Sequence, residues 1–466
     1  MKPHDEPRPP AFTPGGPAGG DPLFRRRPSP ADRLLAAAAA GERALRALAR
    51  RLAAGRAPLG REDLARLAGA AAPGGPGAEV AGEPGSVAAA TVPPSGPPLI
   101  YLPALPWAFR VQRPQRLALA LARAGAPVVY VEAFLRTRLQ PRVWVTAPAP
   151  GVRVVRLAVP GRPDPFRRPL SAAAALALAA EIAAGLARPP RAVIAQLPFW
   201  GPLARALAAR FEVPLVYDRI DLHTGFPGVP PAVGAAEEEL IAAAGLVTAT
   251  SEALAALPRR LGAPTALLPN AADPAAIAPA PHRAAPSGGP AAGFAGALDG
   301  RIDGDAIAAA ARALPGWRFR LAGRVEDSAL AALAALPNVE LLGEIPHRRV
   351  AAFLAGLDAG LVPYRDTPLT RAIDPVKLYE MLAAGLPVAL RRLPSEGAGG
   401  HGSGAAALAP PLVYPYDEPG ALAATLVRAR GEDSPALHER RREAARAESW
   451  ERRAADLLAL LAAPGC

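Results

Sequence analysis

From residue 98 onward, short apolar runs recur with helical stretches between them. They are PLIYLPAL at 98–105, PVVYVEAF at 127–134, RAVIAQLP at 191–198, PLVYDRID at 214–221 and GLVTATS at 245–251. The runs are continuously apolar instead of alternating, which is the pattern of strands buried on both faces of a parallel sheet with crossover helices between them. The pattern lapses at 275–290, which has no period and many turn formers. It resumes with AAGFAGAL at 291–298, WRFRLAG at 317–323, VELLGEI at 339–345, AGLVPYR at 359–365 and LPVALRRL at 386–393. Two consecutive sets of strand–helix units predict two doubly wound, Rossmann-like α/β domains, 98–280 and 288–445. Ligands of such sheets bind at the carboxyl ends of the strands, so a site between the domains is expected. In 446–466, Trp450, Ala454, Leu457, Leu458 and Leu461 recur at helical spacing and predict a closing helix. Periodicity does not say which domain receives it.

Residues 1–97 read differently. The first 30 are rich in Pro and Gly and are expected to be disordered, 31–72 read as one or two Ala/Leu/Arg helices, and 73–97 as a Gly/Pro/Ala linker. At 466 residues, the chain is long enough for two domains beyond this extension. The net charge of +12 raises the question of nucleic acid. Its distribution argues against that partner, because residues 1–60 hold 11 Lys and Arg against 5 Asp and Glu, outside the expected catalytic body. The Arg-rich segment Phe24–Arg27 and the stretch 33–54 are suited to peripheral contact with an anionic membrane surface, the alternative being a solvated tail. Cys466 is the only cysteine, so internal disulfides and Cys-based metal sites are excluded. The start MKPHDEPRPP lacks an apolar signal core, and other apolar stretches are short or broken. A cytoplasmic protein, soluble or peripheral at the inner face of the membrane, is the expectation.

The background is so rich in Ala, Pro and Arg that exceptions stand out. Only two of the 53 basic residues are lysines, Lys2 and Lys377. Lys377 lies in Asp374-Pro-Val-Lys-Leu-Tyr-Glu-Met-Leu-Ala-Ala-Gly-Leu-Pro-Val388, where Asp374 suits an N-cap, Pro375 the first helical position, and Gly385 with Pro387 the end. A helix start carries unpaired N–H groups and partial positive charge, a ready place for a diphosphate, and Lys377 adds a full charge. Glu380, three residues on, shares that face and is placed to accept hydrogen bonds from ribose hydroxyls. Taken alone, the segment also reads as an ordinary capped helix with an i,i+3 Lys/Glu pair.

An ordered series of segments resembles the retaining glycosyltransferases of GT-B fold, and among them the group typified by teichuronic acid and related cell-surface polysaccharide transferases. The series comprises WAFRVQRPQR at 107–116, VVYVE, VYDRID at 216–221, the Glu-rich stretch at 237–240, Leu268-Pro-Asn-Ala-Ala-Asp273, GFAGALDGRID at 293–303, Pro337-Asn-Val-Glu-Leu-Leu-Gly343, VPYRD at 362–366, DPVKLYEMLAAGLPV and ESWERRA. Together these cover about 98–461. The resemblance implies that Glu380, the last carboxylate of the family's E-x7-E motif, holds the donor ribose, while Lys377 and the helix start face the diphosphate. The family's first glutamate falls at Ala372, so the motif is incomplete; Asp374 is the substitute, divided between sugar binding and capping. Arg301, in the turn Gly296–Arg301, stands where relatives carry a basic pair for the leaving diphosphate. Gly323 and Gly343 are expected to let backbone approach base and ribose, the alternative being plain turns. Where many relatives have a histidine this chain has Ile220, followed by Asp221, with His223 nearby; Asp218 and Asp221 are the candidates for acceptor positioning. Gln112 and Arg113 are candidates for an anionic acceptor, or simply for helix-start charge.

The expected reaction is glycosyl transfer from a UDP-, GDP- or dTDP-linked donor to a glycan, lipid-linked or other cell-surface acceptor, with retention. No cofactor or metal is called for, since Lys377, Arg301 and a helix dipole stabilise the departing charge. The alternatives are a nucleotide-sugar epimerase or a nucleotide-sugar-binding protein of the same fold, and last a nucleic-acid binder.

Overall fold

The computed structural model describes residues 96–109, 111–135, 143–159, 164–277, 289–394 and 408–463. The helices and linker expected before residue 96, and most of the 275–290 boundary, lie outside these residues. Two parallel sheets organise the rest. The first contains β1 (Leu99–Leu102), β2 (Val128–Leu135), β3 (Val143–Ala149), β4 (Val152–Val159), β5 (Ala192–Ala195), β6 (Leu215–Arg219), β7 (Leu246–Ala249) and β8 (Thr265–Leu267), in the order β3-β4-β2-β1-β5-β6-β7-β8. Only β3, which pairs with β4, runs antiparallel. The second contains β9 (Ala291–Ala295), β10 (Arg318–Ala322), β11 (Val339–Gly343), β12 (Ala359–Val362), β13 (Val388–Arg391) and β14 (Val413–Tyr416), in the order β11-β10-β9-β12-β13-β14, all parallel.

The sequence explains the centre of each sheet. All four residues of β1 are fully buried, as are Val193, Ile194, Val216, Ala359 and Leu361, because helices cover both faces and leave no position for a polar side chain. Each strand order reverses once, between β1 and β5 in the first sheet and between β9 and β12 in the second. The loops leaving those paired strands diverge to opposite faces and open a crevice at the carboxyl edge.

The closing helix, Trp450–Ala462, returns to the first domain. Trp450, Ala454 and Leu457 are buried beside Leu99, Leu117, Leu121 and Leu268. Its entry is fixed by Ala272 N–H to the Glu448 carbonyl at 3.2 Å and Trp450 N–H to the Ala272 carbonyl at 3.3 Å. The chain therefore crosses between the domains twice, and the Leu268–Asp273 segment meets both crossings.

Candidate active site

At the crevice of the second sheet, the turns after β9, β10 and β11 lie side by side. Gly296 N–H donates to the Ala322 carbonyl at 2.9 Å, and Gly323 N–H to the Gly343 carbonyl at 2.8 Å. Any side chain on Gly323 is excluded, since a Cβ there would stand 1.7 Å from the Gly296 carbonyl oxygen. Gly343 has φ +67°, which favours glycine, with open space beside it. The three glycines named from sequence are thus brought together.

Over them lies the helix Val376–Ala383. A Cβ on Gly296 would be 3.6 Å from Cε of Lys377, so the lysine reaches across that turn. Its Nζ bonds Oε2 of Glu380 at 2.9 Å, joining the i,i+3 pair on one face. The helix start departs from expectation in one respect. Pro375, not Asp374, is the N-cap, and no side chain caps the helix. Asp374 is buried and turned toward the first domain: Oδ2 accepts the Asn270 N–H at 2.5 Å, both oxygens are 3.0 Å from the Tyr379 hydroxyl, and its carbonyl accepts from the Asn270 amide at 2.8 Å. Burial pushes its pKa up to about 6, opposed by the Asn270 and Tyr379 hydrogen bonds. The reason for the altered role is competition: a carboxylate bonded across the seam is not available to the helix N–H groups. It also keeps its charge off the face that carries Lys377.

Arg301 is held by Asp299, with Nε 2.9 Å from Oδ1 and Nη2 2.6 Å from Oδ2. Its loop is clamped to the segment after β12, since Arg365 N–H donates to the Arg301 carbonyl at 2.8 Å and Asp303 N–H to the Pro363 carbonyl at 2.7 Å. Across the seam, Asp221 of the first domain is half-buried and within electrostatic reach of Arg301. Loss of water around Asp221 pushes its pKa up to about 6, while Arg301 and then Arg113 oppose the rise. Arg301, for its part, is stabilised as a cation, chiefly by the hydrogen bond to Asp299.

The first-domain candidates divide. Asp218 and Arg113 are both buried and bonded to each other, Nε to Oδ2 at 3.0 Å and Nη2 to Oδ1 at 2.8 Å. The remaining Arg113 N–H groups go to the carbonyls of Leu268 and Pro269 and to Oδ1 of Asn270, so all five donors are used within the protein. Asp218 also accepts from Gln196 and from Thr248, each at 2.8 Å. Neither residue presents a free group to an acceptor; both organise the crevice. Gln112, by contrast, is exposed and lines a cavity of about 30 Å³ between the domains with Arg116, His347, Val376, Glu380 and Trp450. His223 is buried, and Nε2 has no hydrogen-bond partner among the described residues.

Several residues that the sequence does not single out take part. Arg116 donates to Asp273 at 2.6 Å and bonds Nε2 of His347, in the second domain, at 2.6 Å. Asn270 joins Arg113 to Asp374, and Asp299 sets the orientation of Arg301. A second buried pair links Arg219 to Glu237 at 3.0 Å, with the Tyr217 hydroxyl donating to Glu237 at 2.6 Å. This pair explains the Glu-rich stretch at 237–240 as packing chemistry in the case of Glu237.

The architecture is shared with known proteins. A glycosyl transferase 4-like domain model matches residues 111–271, and a glycosyl transferases group 1 model matches 291–430. The chain belongs to the group 1 glycosyltransferases. A Bacillus subtilis (strain 168) protein, TuaH, whose name places it as a glycosyltransferase in teichuronic acid biosynthesis, is 32% identical over 165 residues, 34% of this chain and 39% of that one. The match thus spans well under half of that relative. Among solved structures, sucrose-phosphate synthase from Thermosynechococcus elongatus has a TM-score of 0.60 at 19% identity, covering 78% of this chain and 98% of that one. HepE from Anabaena, in complex with UDP and glucose, has a TM-score of 0.51 at 14% identity, covering 79% and 100%. At such identities the likeness establishes the GT-B fold. In this group 1 glycosyltransferase, no helix among the described residues is long and apolar enough to cross a membrane.

Proposed function

We propose that the protein transfers a glycosyl unit from a nucleotide-diphosphate donor to a glycan, lipid-linked or other cell-surface acceptor, with retention and without a metal. The observation that carries this reading is the convergence of Lys377, Glu380 and the start of their helix over the Gly296 turn, with Arg301 facing Asp221 of the other domain. Breaking the anomeric C–O bond builds negative charge on the departing phosphate. Lys377, Arg301 and the helix start are the preorganised positive groups for that charge. Glu380 accepts from the ribose hydroxyls, and Gly323 and Gly343 leave room for the nucleoside. The acceptor oxygen bonds the anomeric carbon, and its proton leaves with the diphosphate. Asp221 positions that acceptor, while Asp218 and Asp374 act by holding the seam. The metal-free reading rests on the cations already in place, and retention on the family resemblance.

UDP, GDP and dTDP are the donor bases to be distinguished, and UDP is the first probe because HepE was solved with it. The name of TuaH supports a cell-envelope polysaccharide as the class of acceptor. The reaction is assigned to the cytoplasm, with the basic extension in peripheral contact with the inner face of the membrane. A nucleotide that binds only the native state raises Tm, so a thermal-shift series with the three nucleotides identifies the base. Lys377→Ala and Glu380→Ala are expected to abolish the shift without unfolding the protein. Full retention of the shift in both variants overturns the site. Nucleotide sugar with acceptor then separates transfer, which releases nucleoside diphosphate, from epimerisation, which isomerises the donor, and from binding without turnover.

A further inference from the structure

The segment that follows β12 leaves the second sheet at its reversal point and meets the first domain before it enters the helix of Lys377. Within it, Pro368–Ala372 forms one short helix. Thr367 Oγ1 accepts the Thr370 N–H at 3.1 Å, and Thr370 Oγ1 accepts the Thr367 N–H at 3.0 Å, which fixes its start. Leu369 and Ala372 share one face of this turn, and both touch the first domain. A Cβ on Gly225 would be 3.3 Å from Cβ of Leu369. Ala372 is 4% exposed and packs in a small apolar cluster with Ala249, Leu254 and Ala255. Its carbonyl accepts from the Ser251 hydroxyl at 2.7 Å. That same oxygen accepts the Leu254 N–H at 3.2 Å and so caps the helix Glu252–Arg260. One side chain therefore ties a first-domain helix to the segment leading into the donor site.

Ala372 is also the position at which the family's E-x7-E motif has its first glutamate. A carboxylate there would enter the apolar cluster and lose its water, which is costly for a charge without a partner. The neighbouring carboxylates do not take its place. Asp374 is turned to Asn270 and Tyr379. Asp366 is held by Arg371, Nε to Oδ1 at 2.5 Å and Nη2 to Oδ2 at 3.0 Å. Across 363–375, every carboxylate is engaged within the protein.

We propose that Ala372 is a specificity-determining residue: it replaces a sugar-binding carboxylate by a contact between the domains, so that the donor is selected by its nucleotide and not by the hydroxyls of its sugar. This rests on the transferase reading and concerns the donor side of that site. A hydrogen bond from a hydroxyl to a charged group is worth about tenfold or more in affinity, and a site that makes one rejects the epimer unable to form it. A site without that group binds the epimers alike. The seat on the first domain has a second consequence. Because the segment before Lys377 is already ordered by Ser251 and the apolar cluster, its ordering does not oppose donor binding.

The test is calorimetry on the full chain with UDP, GDP and dTDP, followed by the glucose, galactose, mannose and allose conjugates of whichever nucleotide binds. The last three sugars are epimers of glucose at one hydroxyl each and share its charge. Wild type is expected to bind all four conjugates within about tenfold of one another, and a wider spread overturns the inference. If no nucleotide or conjugate binds to wild type, the transferase reading itself fails. Ala372→Glu is expected to lower Tm and to create no preference among the epimers; a folded variant that gains one of about tenfold shows that the position faces the sugar, and overturns the seat. Ser251→Ala, which removes the hydroxyl and leaves Ala372 in place, guards against a glutamate variant that does not fold. It is expected to weaken all four conjugates by the same factor. Unchanged binding, or loss confined to one epimer, overturns the proposal.

Discussion

The two domains share the doubly wound plan with one reversal of strand order but differ in what fills the crevice. In the first, the carboxyl edge is filled: Gln196, Asp218, Thr248 and Arg113 satisfy one another in a buried network. In the second, the corresponding edge is emptied by three glycine turns and bordered by Lys377 and Arg301. The difference follows from what each edge has to do. A polar network closed on itself is rigid and leaves no donor for a ligand, whereas backbone without side chains beside two cations, each held by one carboxylate, leaves open space. A rigid half and a receptive half are what a cleft enzyme needs to hold two substrates in register.

Breaking the filled crevice should have the largest effect. Arg113→Ala strands Asp218 without its cation in a buried site, and removing one member of such a pair costs about 3–5 kcal/mol. The expected result is a much lower urea midpoint, with the nucleotide shift surviving wherever the variant remains folded. A stability loss under about 1 kcal/mol would mean that Gln196 and Thr248 hold Asp218 adequately without the arginine.

The emptied crevice should respond in rate instead. On the proposed reading, Arg301→Ala removes a cation aimed at developing charge, a class of change that lowers kcat by about 10²–10³-fold. Its Tm should move little, because Arg301 is bonded to a neighbour two residues away on a surface loop. Equal kcat in the variant would show that Lys377 and the helix start suffice, and would leave Arg301 as a partner for Asp299 only.

Much of this contrast is legible in the amino-acid sequence. Continuous apolar runs locate the central strands, and a glycine after each of β9 and β10 and at the end of β11 marks the open turns. β3, β4, β8 and β14 carry no such mark. β4 has Arg153 and Arg156 within VRVVRLAV, breaking the continuous pattern, while β8 and β14 are only three and four residues long. Asp374-Pro375 has the local form of a helix cap, but local form does not reveal that Asn270, 104 residues away, claims the carboxylate. Likewise, nothing in the sequence near Gln112 or Arg113 distinguishes a ligand-binding arginine from a buried one. The difference lies in the Leu268–Asn270 carbonyl-rich segment, which only folding brings there.

The seam adds a pH dependence. Asp374 has a folded pKa of about 6, above its ordinary value of 3.8. Its contribution to stability is therefore complete at low pH and is lost as pH rises through about 6, amounting to roughly 2–3 kcal/mol at neutral pH. His223 and His347, whose pKa values are lowered by burial, act in the opposite direction over much of the same range, because protonating them is disfavoured in the folded state. The informative quantity is thus the difference between wild type and Asp374→Asn. Wild type should lose stability relative to the variant between about pH 4 and pH 6.5, measured by urea unfolding. Parallel curves would rule out a proton bound at Asp374.

The smallest effect belongs to the Arg116–His347 contact, which joins the filled and the emptied halves beside Glu380. Arg116 and His347 bond to each other in the lining of the interdomain cavity, whose volume of about 30 Å³ is far below that of a nucleoside pocket. A nucleotide seated on Glu380 must part them, and its affinity is reduced by whatever that contact is worth. The pair is largely solvent-accessible on the His347 side, so the value is about 0.5–1 kcal/mol. Arg116→Ala should accordingly bind UDP about two- to fivefold more tightly by calorimetry. Weaker binding would place Arg116 on the nucleotide itself, and the first domain would then share in holding the donor.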